Sequence, residues 1–265
     1  MKRHAMLRNL LDRSTKKWKF KCDFQSNLPG LFPHPVTMQK KPNSQEDLSR
    51  AAYQGLRRML YNKELVPGQK IAYRELAERL KMSPTPIIQA LKWMELQGFV
   101  RHEANRGYSM APFSIKEIEE IYELRELLEP SLVDATVQRL DKEGVGLLRA
   151  ALEAHRSAQR EFYLKERLFK NKEFHVTLAA LSGKETQMRI LENLFDMLFL
   201  KYGGNYLPTS SLKSVDEEHQ AIYDSVVLRD VEKARALLAS HVSSVKKQVL
   251  ASVGQMLAEQ EESEF

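Results

Sequence analysis

IAYRELAERLKMSPTPIIQALKWMELQGFVRHEANRGYSM, residues 71–110, is the stretch whose pattern decides the fold. Leu76, Ala77 and Leu80 make a short amphipathic helix that stops at Lys81 and Met82. Ser83 then offers a side-chain oxygen to cap a second helix, and Pro84 takes its first position, where a missing N–H has no consequence. Ile87, Ala90, Leu91 and Met94 mark the apolar face of that helix, and Gly98 terminates it. Phe99 and Val100 begin a strand, Asn105, Arg106 and Gly107 supply a turn, and residues 108–110 resume an extended pattern. A helix, a turn, a second helix and a β-hairpin, in that order, describe a winged helix-turn-helix, a DNA-reading module with a cation at the hairpin tip where a wing meets a groove. On periodicity alone the alternative is a small helical subdomain that only packs.

Charge separates these alternatives. Lys and Arg number 11 against 4 Asp and Glu in residues 1–50, 10 against 5 in residues 51–113, and 20 against 26 in residues 114–265. The local balances of +7, +5 and −6 hide behind a net charge of only +6. A basic front and an acidic back suit a phosphate-facing module joined to a part that does not touch nucleic acid.

The 265 residues, 43% hydrophobic, suffice for one small core and one larger one. Residues 1–45 are basic at first and then rich in proline and polar side chains, which predicts a flexible arm. A DNA-binding domain is expected over 46–113, beginning with a helix through Leu48, Leu56 and Leu60. Residues 114–258 show long helical periodicity with little glycine or proline and predict an all-α bundle, followed by an acidic tail over 259–265. No apolar run is long enough to span a bilayer. Cys22 is the sole cysteine, which excludes an intramolecular disulfide and a cysteine-based zinc cluster and agrees with a cytoplasmic location.

Within the bundle, histidines interrupt apolar lines. His219 lies on a face with Val215, Ile222 and Val226; His241 on one with Ala234 and Leu238; and His175 on one with Leu168, Asn171 and Leu178. Asp230, a good helix cap after VVLR, places a turn near residue 229, which brings His219 and His241 to equal heights on antiparallel helices. Asn171 and His175, four apart, share one side of their helix. Inward imidazoles from separate helices make a candidate metal site, the alternative being hydrogen-bonded core histidines. Glu173 and Glu218, adjacent to these residues in sequence, are expected to face elsewhere, because neighbouring helical positions diverge by about 100°. A site of this kind with an open position also fits a metal-dependent hydrolase, although no HExxH pattern, glycine-rich phosphate loop or nucleophile elbow is present.

The segments VPGQKI, RELAERLKMSPTPIIQAL, LQGFV and NRGY resemble the winged-helix domain of GntR-type bacterial transcription regulators, and IKEIEEIYELRELLEPSLVDATVQRL resembles the opening helix of their FadR-like, or FCD, effector domain. The likeness spans about residues 46–258. It implies a homodimeric regulator, more often a repressor, that binds a double-stranded DNA operator and answers to a small carboxylate metabolite. Arg74 matches a position that contacts DNA in relatives, and Arg106 with Gly107 matches the family's minor-groove contact at the wing. Ser83, Thr85 and Gln89 can contact phosphate or base edges, the alternative being capping and solvated surface, and Pro84 and Ile88 stand where the family commonly carries arginine. Arg125 matches an arginine directed toward the effector pocket; the residues themselves leave a salt bridge with Glu129 or Glu126 as the alternative. The family's divalent metal ligands map to Asn171, His175, His219 and His241, with Asn171 replacing the usual aspartate by a neutral carbonyl oxygen. Zinc leads among the ions compatible with such donors, ahead of nickel and manganese.

Overall fold

A computed structural model describes residues 45–158, 164–202 and 212–263. The expected basic arm lies outside the described residues except for Gln45, which already opens helix α1 (Gln45–Tyr61). Strand β1 (Lys70–Ile71), helices α2 (Tyr73–Arg79) and α3 (Pro84–Leu96), and strands β2 (Val100–Glu103) and β3 (Gly107–Met110) complete the first domain. Its core is the apolar face anticipated from the sequence: Leu56, Ile87, Ala90, Leu91 and Met94 are fully buried.

The turns follow from backbone chemistry. Lys81 adopts φ 53°, so that its N–H bonds the Glu78 carbonyl at 3.0 Å while Met82 N–H bonds Ala77 at 2.9 Å. These bonds satisfy the last carbonyls of α2 as the chain reverses. Gly98 does the same for α3 at φ 83°, with Phe99 N–H bonding Met94 at 2.9 Å. Ser83 holds the N-cap position in extended conformation but makes no capping bond, contrary to expectation. The reason lies in the two prolines: Pro84 and Pro86 have no N–H, and Pro86 occupies the third helical position, whose N–H is one of the two usual donors to a capping side chain.

The wing is larger than a hairpin. β3 pairs antiparallel with β2, Val100 opposite Met110, and also with β1, Ile71 opposite Tyr108, giving the order β1-β3-β2. A strand of two residues carries no alternation that sequence could reveal.

Among its described residues the second domain is built of helices joined by short turns: α4 (Ile115–Arg139), α5 (Lys142–Ser157), α6 (Leu164–Leu181), α7 (Glu185–Asp196), a π-helical turn at Met197–Lys201, α8 (Leu212–Val227) and α9 (Val231–Ser263). The side chains of Ser114 and Asp141 accept bonds from the N–H groups of Glu117 and Gly144 and cap α4 and α5. The reversal expected near residue 229 is made by Arg229 at φ 60°, whose guanidinium also donates to the carbonyls of Val137 and Leu140 at the end of α4. Val133, Leu148, Phe174, Ile222 and Leu238 centre the core on which α4, α5, α6, α8 and α9 converge. α9 continues through Ser263. Among the described residues, no helix is long and apolar enough to cross a membrane.

Candidate metal centre and nucleic-acid interface

α6, α8 and α9 each deliver one imidazole to the middle of the bundle. The candidate ligand atoms of His175, His219 and His241 all lie within 4.8 Å of one another, and all three residues are buried. Nε2 of His219 lies 3.1 Å from Nε2 of His175 and 3.2 Å from Nε2 of His241. The expected inward convergence is therefore present. Asn171 sits one turn before His175 on α6 and is half-buried.

Carboxylates orient the outer two rings. His175 Nδ1–H donates to Glu129 Oε2 at 2.5 Å, and His241 Nδ1–H donates to Glu218 Oε2 at 2.6 Å. With the proton on Nδ1, each Nε2 presents a lone pair to the centre. Glu218 corrects the expectation that it faces away: one position off the His219 face, it confronts the antiparallel α9 and reaches His241. Glu173 instead pairs with Lys170 at 2.8 Å.

Arg125 donates from Nε to Glu129 Oε1 at 2.7 Å, so the structure contains the intrahelical pair, with Glu129 and not Glu126 as partner. Its guanidinium also lies 4.1 Å from the ring centroid of Phe195, which in turn stands 5.2 Å from the ring of His175. Burial pushes the Glu129 carboxyl up, but His175 and Arg125 outweigh burial and hold it at about 2. Glu129 is thus an anion shared between an arginine and an imidazole.

A fourth histidine went unremarked in the sequence. His155 on α5 places Nδ1 3.0 Å from Asp216 Oδ1 and 3.4 Å from His219 Nδ1. The signal was available, since His155 continues the buried face of Leu148 and Leu152. Burial pushes His155, His175 and His219 below the usual imidazole range, His175 to about 4. Neutral rings are the metal-binding form. The donor set fits a divalent cation: one proton on His219 Nε2 satisfies only one of the two lone pairs facing it, whereas a cation satisfies all three nitrogens.

The DNA-facing candidates lie on the other domain. Arg74, Ser83, Thr85, Gln89 and Arg106 are all exposed. Thr85 and Gln89 share the outer face of α3, while Arg106 and Gly107, the latter at φ 83°, form the wing tip. The Arg106 side chain makes an exposed ion pair with Glu103 at 3.3 Å, and Arg74 lies 6.0 Å from the Tyr73 ring centroid.

A polar seam joins the two domains. Arg57 of α1 donates to Asp196 Oδ2 at 2.8 Å, and Lys172, beside Asn171 on α6, donates to Asp196 Oδ1 at 2.6 Å. Arg57 also bonds Tyr53, whose hydroxyl donates to Gln97 at the end of α3 at 2.6 Å. Lys201 reaches the Gly98 carbonyl and, together with Tyr202, Glu117.

The two halves match known families in the same order. Bacterial regulatory proteins of the gntR family match residues 48–109, and the FCD domain matches residues 120–244. An HTH-type transcriptional regulator from the TAR-I ttuE-ttuC' intergenic region of Agrobacterium vitis is 33% identical over 140 residues, covering 51% of this chain and 80% of that protein. The HTH-type transcriptional regulator YdhC of Bacillus subtilis strain 168 is 25% identical over 190 residues, 71% of this chain and 85% of its own. In fold, the chain is similar to E. coli McbR/YncC, with a TM-score of 0.67 at 21% identity over 79% of this chain and 98% of the other. The chain belongs to the GntR family of bacterial regulatory proteins, in the group that carries an FCD domain. It is accordingly a DNA-binding regulatory protein and not an enzyme, which sets aside the hydrolase alternative.

Proposed function

We propose that the protein is a cytoplasmic homodimeric repressor whose operator affinity is set by a small carboxylate bound beside a divalent ion in the FCD domain. His175, His219 and His241 hold the ion in this reading, with the Asn171 carbonyl as fourth ligand. When bound, the ion, zinc before nickel or manganese, supplies a localised positive charge that an anionic effector can share. The convergence of lone pairs enforced by Glu129 and Glu218 is the observation that carries the proposal.

Arg125 adds a fixed cation near the site, tied to Glu129 and stacked on Phe195, and favours an anion over a neutral molecule. Phe195 precedes Asp196 in α7, so a shift of His175 against Phe195 is passed to the Arg57 contact on the DNA-reading domain. An effector changes DNA affinity only through unequal binding to two arrangements of the domains. In the dimer, two α3 helices enter successive major grooves about 34 Å apart, and the effector domains set that span. Arg74, Ser83, Thr85 and Gln89 contact the major-groove side, and Arg106 and Gly107 the minor groove.

The test combines metal analysis of the purified protein with gel shifts on its own promoter region. Stoichiometric metal that is lost in His219→Ala, and DNA affinity that falls with one member of a carboxylate panel, are expected. Equal metal content in the variant and unchanged affinity across the panel would overturn the sensing half and leave DNA binding intact.

A further inference from the structure

We infer that α3 selects adenine and thymine instead of guanine in the operator, with Gln89 and Ile88 as the discriminating side chains, an inference that rests on the winged domain being the DNA reader. Pro86, Ile87, Ala90, Leu91 and Met94 are buried against the domain. The opposite face, at helical spacing, is Thr85, Ile88, Gln89 and Lys92, continued at the C-terminal end by Glu95 and Leu96, all exposed except the half-buried Ile88. Up to Lys92 this face holds a hydroxyl, a branched alkyl group, a carboxamide and an ammonium, and no guanidinium occurs anywhere in α3.

Base-edge chemistry converts that inventory into a preference. In the major groove guanine presents two acceptors, N7 and O6, and calls for a fork of two donors. Adenine presents one acceptor and one donor, which a carboxamide such as Gln89 matches with its own donor and acceptor. Thymine presents a methyl group, for which Ile88 is an apolar partner and a charged fork is not. The helix end reinforces this choice. Pro84 and Pro86 remove two of the N–H groups that an α-helix otherwise points outward from its first turn, leaving fewer backbone donors for guanine acceptors. Lys92 lies about 10 Å along the axis from Thr85. That places it beyond the N-terminal residues that meet base edges, where a flexible ammonium meets phosphate.

The wing points the same way. The Arg106 side chain is 82% exposed at the hairpin tip and pairs weakly with Glu103. A·T tracts narrow the minor groove and deepen its negative potential, which favours an inserted arginine.

The experiment is selection of full-length protein on a randomised duplex pool, followed by titrations on the selected site and its single-pair substitutions. A·T pairs are expected under the first turns of α3, with replacement by G·C weakening binding on the order of ten- to a hundred-fold per contacted pair. Gln89→Ala should flatten the preference for adenine at one position. Lys92→Met should weaken all sequences alike and lower the salt slope by about one. Guanine selected under α3, or an unchanged base preference in Gln89→Ala, would overturn the inference while DNA binding stands. A pool from which low salt recovers no enriched duplex would overturn both.

Discussion

Glu129 serves two partners with one charge: one oxygen accepts from Arg125 and the other from His175. In Glu129→Gln, Arg125 is left buried without its counter-charge, and loss of one partner of a buried pair costs roughly 3–5 kcal/mol. The same change removes the acceptor that fixes the His175 ring, so metal affinity is expected to fall on the order of ten- to a hundred-fold. Chemical denaturation of the metal-free protein reads the first effect, and competition with a chelator reads the second. Asp196 makes a parallel case at the domain seam. Burial pushes its carboxyl up, but Lys172 and Arg57 outweigh burial and hold it below the usual range. Its folded value being lower than its unfolded one, its contribution is complete above the unfolded value of about 3.9 and is lost as pH falls through the folded value beneath it. Asp196→Asn should therefore be less stable than the parent at pH 7, and its stability should depend less on pH below about 4, as measured by urea unfolding across that range.

The end of α3 is an element on which both domains press. Gly98 stands at φ 83°, and a Cβ there would meet Met197 Cε of the π-helical turn at 3.2 Å. Gly98→Ala is expected to cost about 1 kcal/mol or more from the left-handed backbone alone, visible as a lower melting temperature. The start of α3 is open in the opposite sense, since Ser83 makes no capping bond with Pro86 in the third position. The helices themselves were legible in the sequence because each buries one face, and the reversals at Lys81, Gly98 and Arg229 lie where apolar periodicity breaks. β1 and the π-helical turn were not legible. The first is too short for alternation, and the second is so fully buried, from Met197 through Lys201, that no polar side interrupts the run.

Across the whole molecule, Arg57 ties the DNA reader to the helix that follows the histidine helix, through a carboxylate that Lys172 also holds. Arg57→Met should leave metal content unchanged while reducing any difference in operator affinity between metal-loaded and chelated protein, read by gel shift in both states. Equal coupling in parent and variant would remove Arg57 from the route. The sequence by itself determined the order of the two domains, the winged module, the helical bundle and the inward direction of His175, His219 and His241. These follow from local periodicity, turn chemistry and charge distribution, which act over a few residues at a time. Only the tertiary structure decided that Glu129 and Glu218 orient the imidazoles, that His155 and Asp216 stand behind His219, and that Asp196 bridges the domains. Those partners are 23 to 139 residues apart. A helical period specifies which side of its own helix a carboxylate occupies, but the packing of the other helices chooses the group it meets there.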